Sequence, residues 1–132
     1  MKKIIIFFIF LNLLILNSIL LAEDFDLEMF MHIDNQTTII FPNKNKYVHI
    51  EGSANWKDTL GDYGIVKCLA NIFVTDKDNK ANLEAFCEGK NQKNEKFWIK
   101  LDRSSDMDAG VGFANYLHGE NKYKAYIGLK CP

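Results

Sequence analysis

The chain lacks a surplus of basic residues: its net charge is −1, with 16 Lys and Arg against 17 Asp and Glu. A nucleic-acid binder ordinarily shows a basic stripe, so nucleic acid is excluded as a partner class. Imidazoles are few as well. His32, His49 and His118 stand far apart and without ligand spacing. His49-Ile50-Glu51 would share a face of a strand, and a metal site completed by His118 and Glu120 can be drawn, but ordinary strand histidines explain the pattern better. Motifs of the nucleophile-elbow, phosphate-loop and zinc-protease types are missing. No catalytic, cofactor or metal residue is therefore assigned. Nor does any twelve-residue stretch of the polar part carry a clean helical period.

One long apolar run is present. Lys2 and Lys3 precede Ile4 to Leu21, which only Asn12, Asn17 and Ser18 interrupt, and Ala22 comes before Glu23 and Asp24. This is the layout of a secretory signal peptide over residues 1–22. An uncleaved membrane anchor is the rival reading, since the run is about as long as a span requires. No cysteine follows it closely enough for lipidation. Cleavage removes Lys2, Lys3 and no acid, so the mature chain would carry −3. Residues 23–132 form one domain, large enough to bury about two-thirds of its unfolded surface. Export to the periplasm or beyond is the expected localisation.

From Tyr47 onward, short alternating runs separated by Gly, Asp, Asn and Lys clusters read as antiparallel strands. Phe25 to Ile33 is the best candidate for a helical turn but also fits a strand and is read as one; Thr37 to Phe41 reads as a strand ended by Pro42, which cannot donate to a ladder. Taking Asp76-Lys77-Asp78-Asn79 as a turn sets Val74 against Ala81, Ile72 against Leu83, Ala70 against Ala85, Cys68 against Cys87 and Val66 against Gly89. Every member of that face is apolar or small. A one-residue slip would bring Asn82, Glu84 and Glu88 onto it, so the pattern selects its own register. A turn at Gln92-Lys93-Asn94 then adds Phe97, Ile99 and Leu101 to the inner face. Phe86 and Trp98 fall outside among charged residues, a possible contact surface for a protein partner. Asp102 to Asp106 reads as a polar loop. A last hairpin centred on Glu120 would pair Leu117 with Tyr123, Asn115 with Ala125, Phe113 with Ile127 and Val111 with Leu129. The chain stops at Cys131-Pro132 within a strand-like segment, so a further strand is expected beyond it.

Three cysteines in an exported chain favour one disulfide and one leftover thiol. The register selects Cys68 with Cys87. Cys131 also points inward, and is either free or a competitor for one of them. A catalytic thiol is disfavoured, because no histidine is near in sequence and an apolar setting raises a thiol's pKa.

Gly112-Phe113 followed by His118-Gly119-Glu120-Asn121-Lys122-Tyr123-Lys124-Ala125-Tyr126-Ile127-Gly128 resembles the Gly-Thr-Gly-Lys-Phe/Tyr-x-Gly-x-x-Gly hairpin of allene oxide cyclase and dirigent-type proteins. The likeness spans about twenty residues. Glu120, Asn121 and Ala125 stand where a Thr and two Gly are usual. The resemblance implies an eight-stranded antiparallel barrel with an apolar cavity. It implies no activity, because none of the cyclases' catalytic residues has a counterpart here. Gly52 to Cys68, with Trp56, Asp58, Gly61, Tyr63 and Gly64, also resembles small exported bacterial proteins.

The expected architecture is all-β: a small antiparallel barrel or a strongly curved meander. The expected role is a non-enzymatic binding module, for a small apolar ligand inside the barrel or for a protein partner. An isomerase or cyclase acting in the cavity, and a structural envelope protein, are the alternatives. No cofactor is expected, and membrane contact is expected only through an uncleaved signal segment.

Overall fold

The alternating runs become long antiparallel strands in the computed structural model, which describes residues 25–106 and 110–132; the segment read as a signal peptide lies outside the described residues. The strands are β1 (Leu27–Ile40), β2 (Lys46–Asp58), β3 (Tyr63–Thr75), β4 (Lys80–Asn91), β5 (Lys96–Asp106), β6 (Phe113–Gly119) and β7 (Lys130–Cys131). They form one sheet in strict chain order. Short turns suffice because each strand pairs with its predecessor. Asn79, Asn94 and Asn121 take positive φ at the corners, a conformation asparagine tolerates better than most residues.

The β3–β4 register agrees with the sequence-derived one at every position from Val74↔Ala81 to Val66↔Gly89. In β5, Phe97 and Ile99 are fully buried. The two predicted N-terminal runs merge into one strand, β1, with a register shift between Ile33 and Asn35. Because the shift adds one residue, side-chain alternation inverts across Asp34. Strand β5 also runs through the predicted polar loop to Asp106. The Arg103 Nε–H donates to Ser105 Oγ at 2.6 Å there.

The barrel expectation is corrected: the sheet is a meander that does not close. Among the described residues no ladder joins β1 to β7. The sheet is nevertheless curled, bringing the Phe25 ring to 5.9 Å from Tyr126. Glycine permits the close approaches that this bending needs. A Cβ on Gly64 would lie 1.9 Å from the Lys90 carbonyl oxygen, and one on Gly89 would lie 2.2 Å from Cζ of Phe97.

The core occupies one end of the curl. Trp56, Val66, Phe97, Ile99, Tyr116 and Tyr123 fill it, with the Cys68–Cys87 pair beside them. Phe97 is its hub, 5.2 Å from Trp56 and 5.0 Å from Tyr123 between ring centroids. These tilted and edge-on contacts are the preferred aromatic geometries.

The C-terminal hairpin is the second correction. Instead of returning as a strand after Glu120, the chain makes a 3-10 turn over Asn121–Tyr126. Tyr123 and Tyr126 are three apart, so one 3-10 period directs both inward. Strand β7 then pairs Cys131 with Ala114 and Lys130 with Asn115. In the β5–β6 ladder a register shift between Trp98 and Ile99 leaves Leu117 as an extra residue of β6 and inverts its faces there. Tyr116 is buried, whereas Phe113, Leu117, Val111, Ile127 and Leu129 are exposed. Asn115 consequently lies on the outer face, opposite Lys100.

Candidate functional site: a polar-aromatic groove on the outer face

The ladders set outward-facing residues in rows across the sheet. One row runs His49, Asn71, Glu84, Asp102, Phe113, and the next runs Tyr47, Phe73, Asn82, Ser104. All of these but His49 line a groove of about 510 Å³. Crossing from β2 to β6, it spans four inter-strand spacings, about 19 Å at about 4.8 Å each.

Hydrogen bonds within the rows fix the polar groups. The Tyr47 hydroxyl donates to Asn71 Oδ1 at 2.7 Å, and His49 Nδ1 lies 2.9 Å from the same oxygen. With its oxygen occupied, Asn71 offers its amide N–H groups to the groove. Ser104 Oγ donates to Asn82 Oδ1 at 2.6 Å, so Asn82 is arranged alike. Lys100 Nζ bridges Glu84 Oε2 at 2.7 Å and Asp102 Oδ1 at 2.9 Å. The hydrogen bond to Glu84, followed by that to Asp102, holds the Lys100 ammonium above its usual pKa. Phe73 and Phe113, half open to solvent, supply apolar ring surface.

The next rows contain the residues singled out from the sequence as a contact surface. Leu69 faces Phe86 across the β3–β4 ladder. Both are exposed, at 56% and 49%. Trp98 is half-buried and engaged within its own chain: its Nε1–H donates to Glu88 Oε2 at 3.1 Å, and its ring lies 5.3 Å from that of His118. Lys96 Nζ meets Glu88 Oε1 at 2.9 Å. That hydrogen bond from Lys96 is the main reason the Glu88 carboxyl sits below the usual range. Phe86 is thus exposed with Lys100 Nζ 5.8 Å from its ring centroid, whereas Trp98 forms a braced rim.

Behind this face, Cys68 and Cys87 are joined by a disulfide, with Cα atoms 4.1 Å apart. So short a separation belongs to a non-hydrogen-bonded antiparallel pair. Cys131 is free and half-buried. It lines a crevice of about 250 Å³ on the inner side with Phe25, Leu27, Met29 and Tyr116. Burial pushes the Tyr116 hydroxyl above its ordinary pKa.

The imagined metal set is not assembled. His49 lies 4.0 Å from Glu51 on β2, while His118 stacks on Trp98 far across the sheet. Glu120 accepts a hydrogen bond from the Lys96 backbone N–H at 3.0 Å. Among the described residues no three His, Cys, Asp or Glu side chains converge as a metal site.

Sequence reasoning missed a buried polar cluster at the core end. Asp62 Oδ2 accepts the Tyr123 hydroxyl at 2.9 Å, Oδ1 accepts Gln92 Nε2 at 3.1 Å, and Lys122 pairs with the same carboxylate. Burial by itself would raise the Asp62 carboxyl, but the hydrogen bonds from Lys122, Tyr123 and Gln92 outweigh it and hold the group below its ordinary range. Nothing local in Gly61-Asp62-Tyr63 distinguishes this aspartate from a turn residue. Its partners come from the β4–β5 turn and the 3-10 turn.

Comparison of the chain with family models, with curated proteins and with solved structures returns no match in any of the three.

Proposed function

We propose that this is an exported, non-enzymatic binding module whose outer-face groove takes a hydroxyl-rich ligand, a saccharide chain. The observation that carries this reading is the pair of amides, Asn71 and Asn82, each with its oxygen engaged by a neighbouring side chain. Amide hydrogens oriented in this way donate to ligand hydroxyl oxygens, while Glu84 and Asp102 accept from ligand hydroxyls. Tyr47, Phe73 and Phe113 offer ring surface to sugar C–H groups. Apolar walls with a few fixed polar groups are the usual make-up of a ligand site. The two carboxylates share Lys100, a condition that suits hydrogen-bond acceptance better than proton transfer. Isomerase or cyclase chemistry in a cavity has less support, because the inner crevice falls below the ~300–1,000 Å³ usual for ligand pockets.

Export is supported by the apolar run after Lys2-Lys3 and by the disulfide, which suits an oxidising compartment. Intact mass of protein recovered from a host's periplasm checks it. A chain beginning at Glu23 is expected, and a retained signal segment would mean a membrane anchor.

Titrating a panel of neutral oligosaccharides by calorimetry tests the ligand. Saturable binding is expected, with at least a tenfold loss on Asn71→Ala or Phe73→Ala at unchanged thermal stability. A flat response across the panel would refute the saccharide reading. The exposed Leu69–Phe86 pair favours a second reading, a protein partner over this part of the face. Phe86→Ala would then abolish partner capture and leave saccharide binding intact.

A further inference from the structure

Strand β1 stands at the edge of the sheet, and among the described residues nothing pairs with its outer side. Residues Phe30 to Ile40 are exposed without a break, on both faces. Natural edges are usually blunted by lysine, by proline or by covering segments. The sequence of β1, LEMFMHIDNQTTII, contains no lysine, arginine or proline. Its exposed residues include Phe30 at 65% and Ile39 at 53%. A long, nearly neutral, partly apolar row of free backbone donors and acceptors is a template for another strand.

We infer that the strand covering this edge is β1 of a second copy, laid antiparallel about the bulge at Asp34. Side-chain parity fixes the register of such a pairing. Before the bulge, Met31 and Ile33 share the inner face with Ala54 and Gly52; after it, Gln36 and Thr38 do so with Ile50 and Val48. A two-fold axis normal to the sheet keeps each face on its own side. Face-matched pairing must therefore join an odd residue from the first half to an even one from the second, or the converse. Centred on the bulge, the register sets Phe30 against the second copy's Ile39, Met31 against Thr38, His32 against Thr37, Ile33 against Gln36 and Asp34 against Asn35.

Every one of these pairs lies on a single face, and the exposed Phe30 and Ile39 cover each other twice per dimer. Asp34 meets an amide; the two Asp34 carboxylates flank the axis, and each keeps its own-chain partners, His32 at 3.9 Å and the Ser53 hydroxyl, which donates to it at 3.1 Å. A bulge ordinarily interrupts an edge, but on the two-fold axis both strands bend at the same place.

The test is a register-specific cross-link in the full secreted chain carrying Cys131→Ser. Phe30→Cys with Ile39→Cys is expected to give a covalent dimer under mild oxidation. Phe30→Cys with Thr38→Cys, which puts the thiols on opposite faces, is expected to give none. Wild-type protein is expected to show concentration-dependent mass by light scattering, and slowed amide exchange over Met31 to Thr38 as concentration rises. Equal cross-linking of both variants, or a monomer at all concentrations with unchanged exchange, overturns the proposal. A monomer whose β1 amides become protected only on adding an unrelated extended peptide also overturns it, assigning the edge to a foreign strand.

Discussion

The Tyr123 hydroxyl donates to Asp62 Oδ2 at 2.9 Å across 61 positions of sequence, tying the 3-10 turn to the β2–β3 corner. Both residues are buried. Tyr123→Phe removes the donor and leaves a buried carboxylate one partner short, so it should lower stability by about 1–3 kcal/mol. Urea denaturation measures this; a midpoint unchanged from wild type would mean that Lys122 and Gln92 suffice.

The same carboxylate sets an acid limit. The folded pKa of Asp62 is depressed below its ordinary 3.8, so its contribution is fully present above that value and is lost as pH falls through the lower folded one. Asp62→Asn should flatten the stability–pH curve below about pH 4. Tyr116 and Tyr123 act at the alkaline end. Burial raises both, so their contribution is present below the ordinary 10.0 and is lost as pH rises beyond it. Tyr123→Phe should lessen the alkaline loss in the same denaturation series.

Opening the Cys68–Cys87 bridge frees a loop of 19-residue separation. Cys68→Ser with Cys87→Ser should cost about 3 kcal/mol on the chain-entropy account. Cys131→Ser alone should cost far less, since Cys131 is free and half-buried. Thermal melts with and without reductant separate the two: wild type and Cys131→Ser should respond to reductant, and the double variant should not.

Gly89 faces Phe97 across the β4–β5 ladder, and the ring lies where a Cβ would be. Gly89→Ala must displace a fully buried ring that also packs on Trp56 and Tyr123. A loss of about 1–3 kcal/mol is expected, as for overpacking elsewhere in cores. Near-ultraviolet circular dichroism should change with it; an unaltered aromatic spectrum would mean that Phe97 is not the hub.

The sequence reveals those parts of the fold where alternation is uninterrupted. Across β3, β4 and the start of β5, two-residue periodicity and Asn-rich turns suffice to pair Cys68 with Cys87 and to bury Phe97 and Ile99. Alternation fails where one residue is inserted, because a bulge leaves composition unchanged while inverting every face beyond it. Hence Tyr116 rather than Asn115 points inward, and β1 reads as two strands. The Tyr123–Tyr126 spacing is compatible with 3-10 geometry, but the glycines and aromatics around it imitate a hairpin. Of the groove, the alternation places Asn82 and Glu84 off the inner face, but Tyr47, Asn71 and Phe113 carry no local sign of a shared site. Three ladders must be in register before they become neighbours.

Strict chain order also bears on how the molecule assembles. Each strand pairs with the one made just before it, so no pairing in the sheet waits for a distant segment. Loop-closure entropy, which slows sheets built from remote partners, is met here in small steps. The thiols of Cys68 and Cys87 can meet once β3 and β4 have zipped, before the later strands exist. Oxidation could therefore lock the central hairpin early, giving β5 and the C-terminal turn a fixed surface on which to fold.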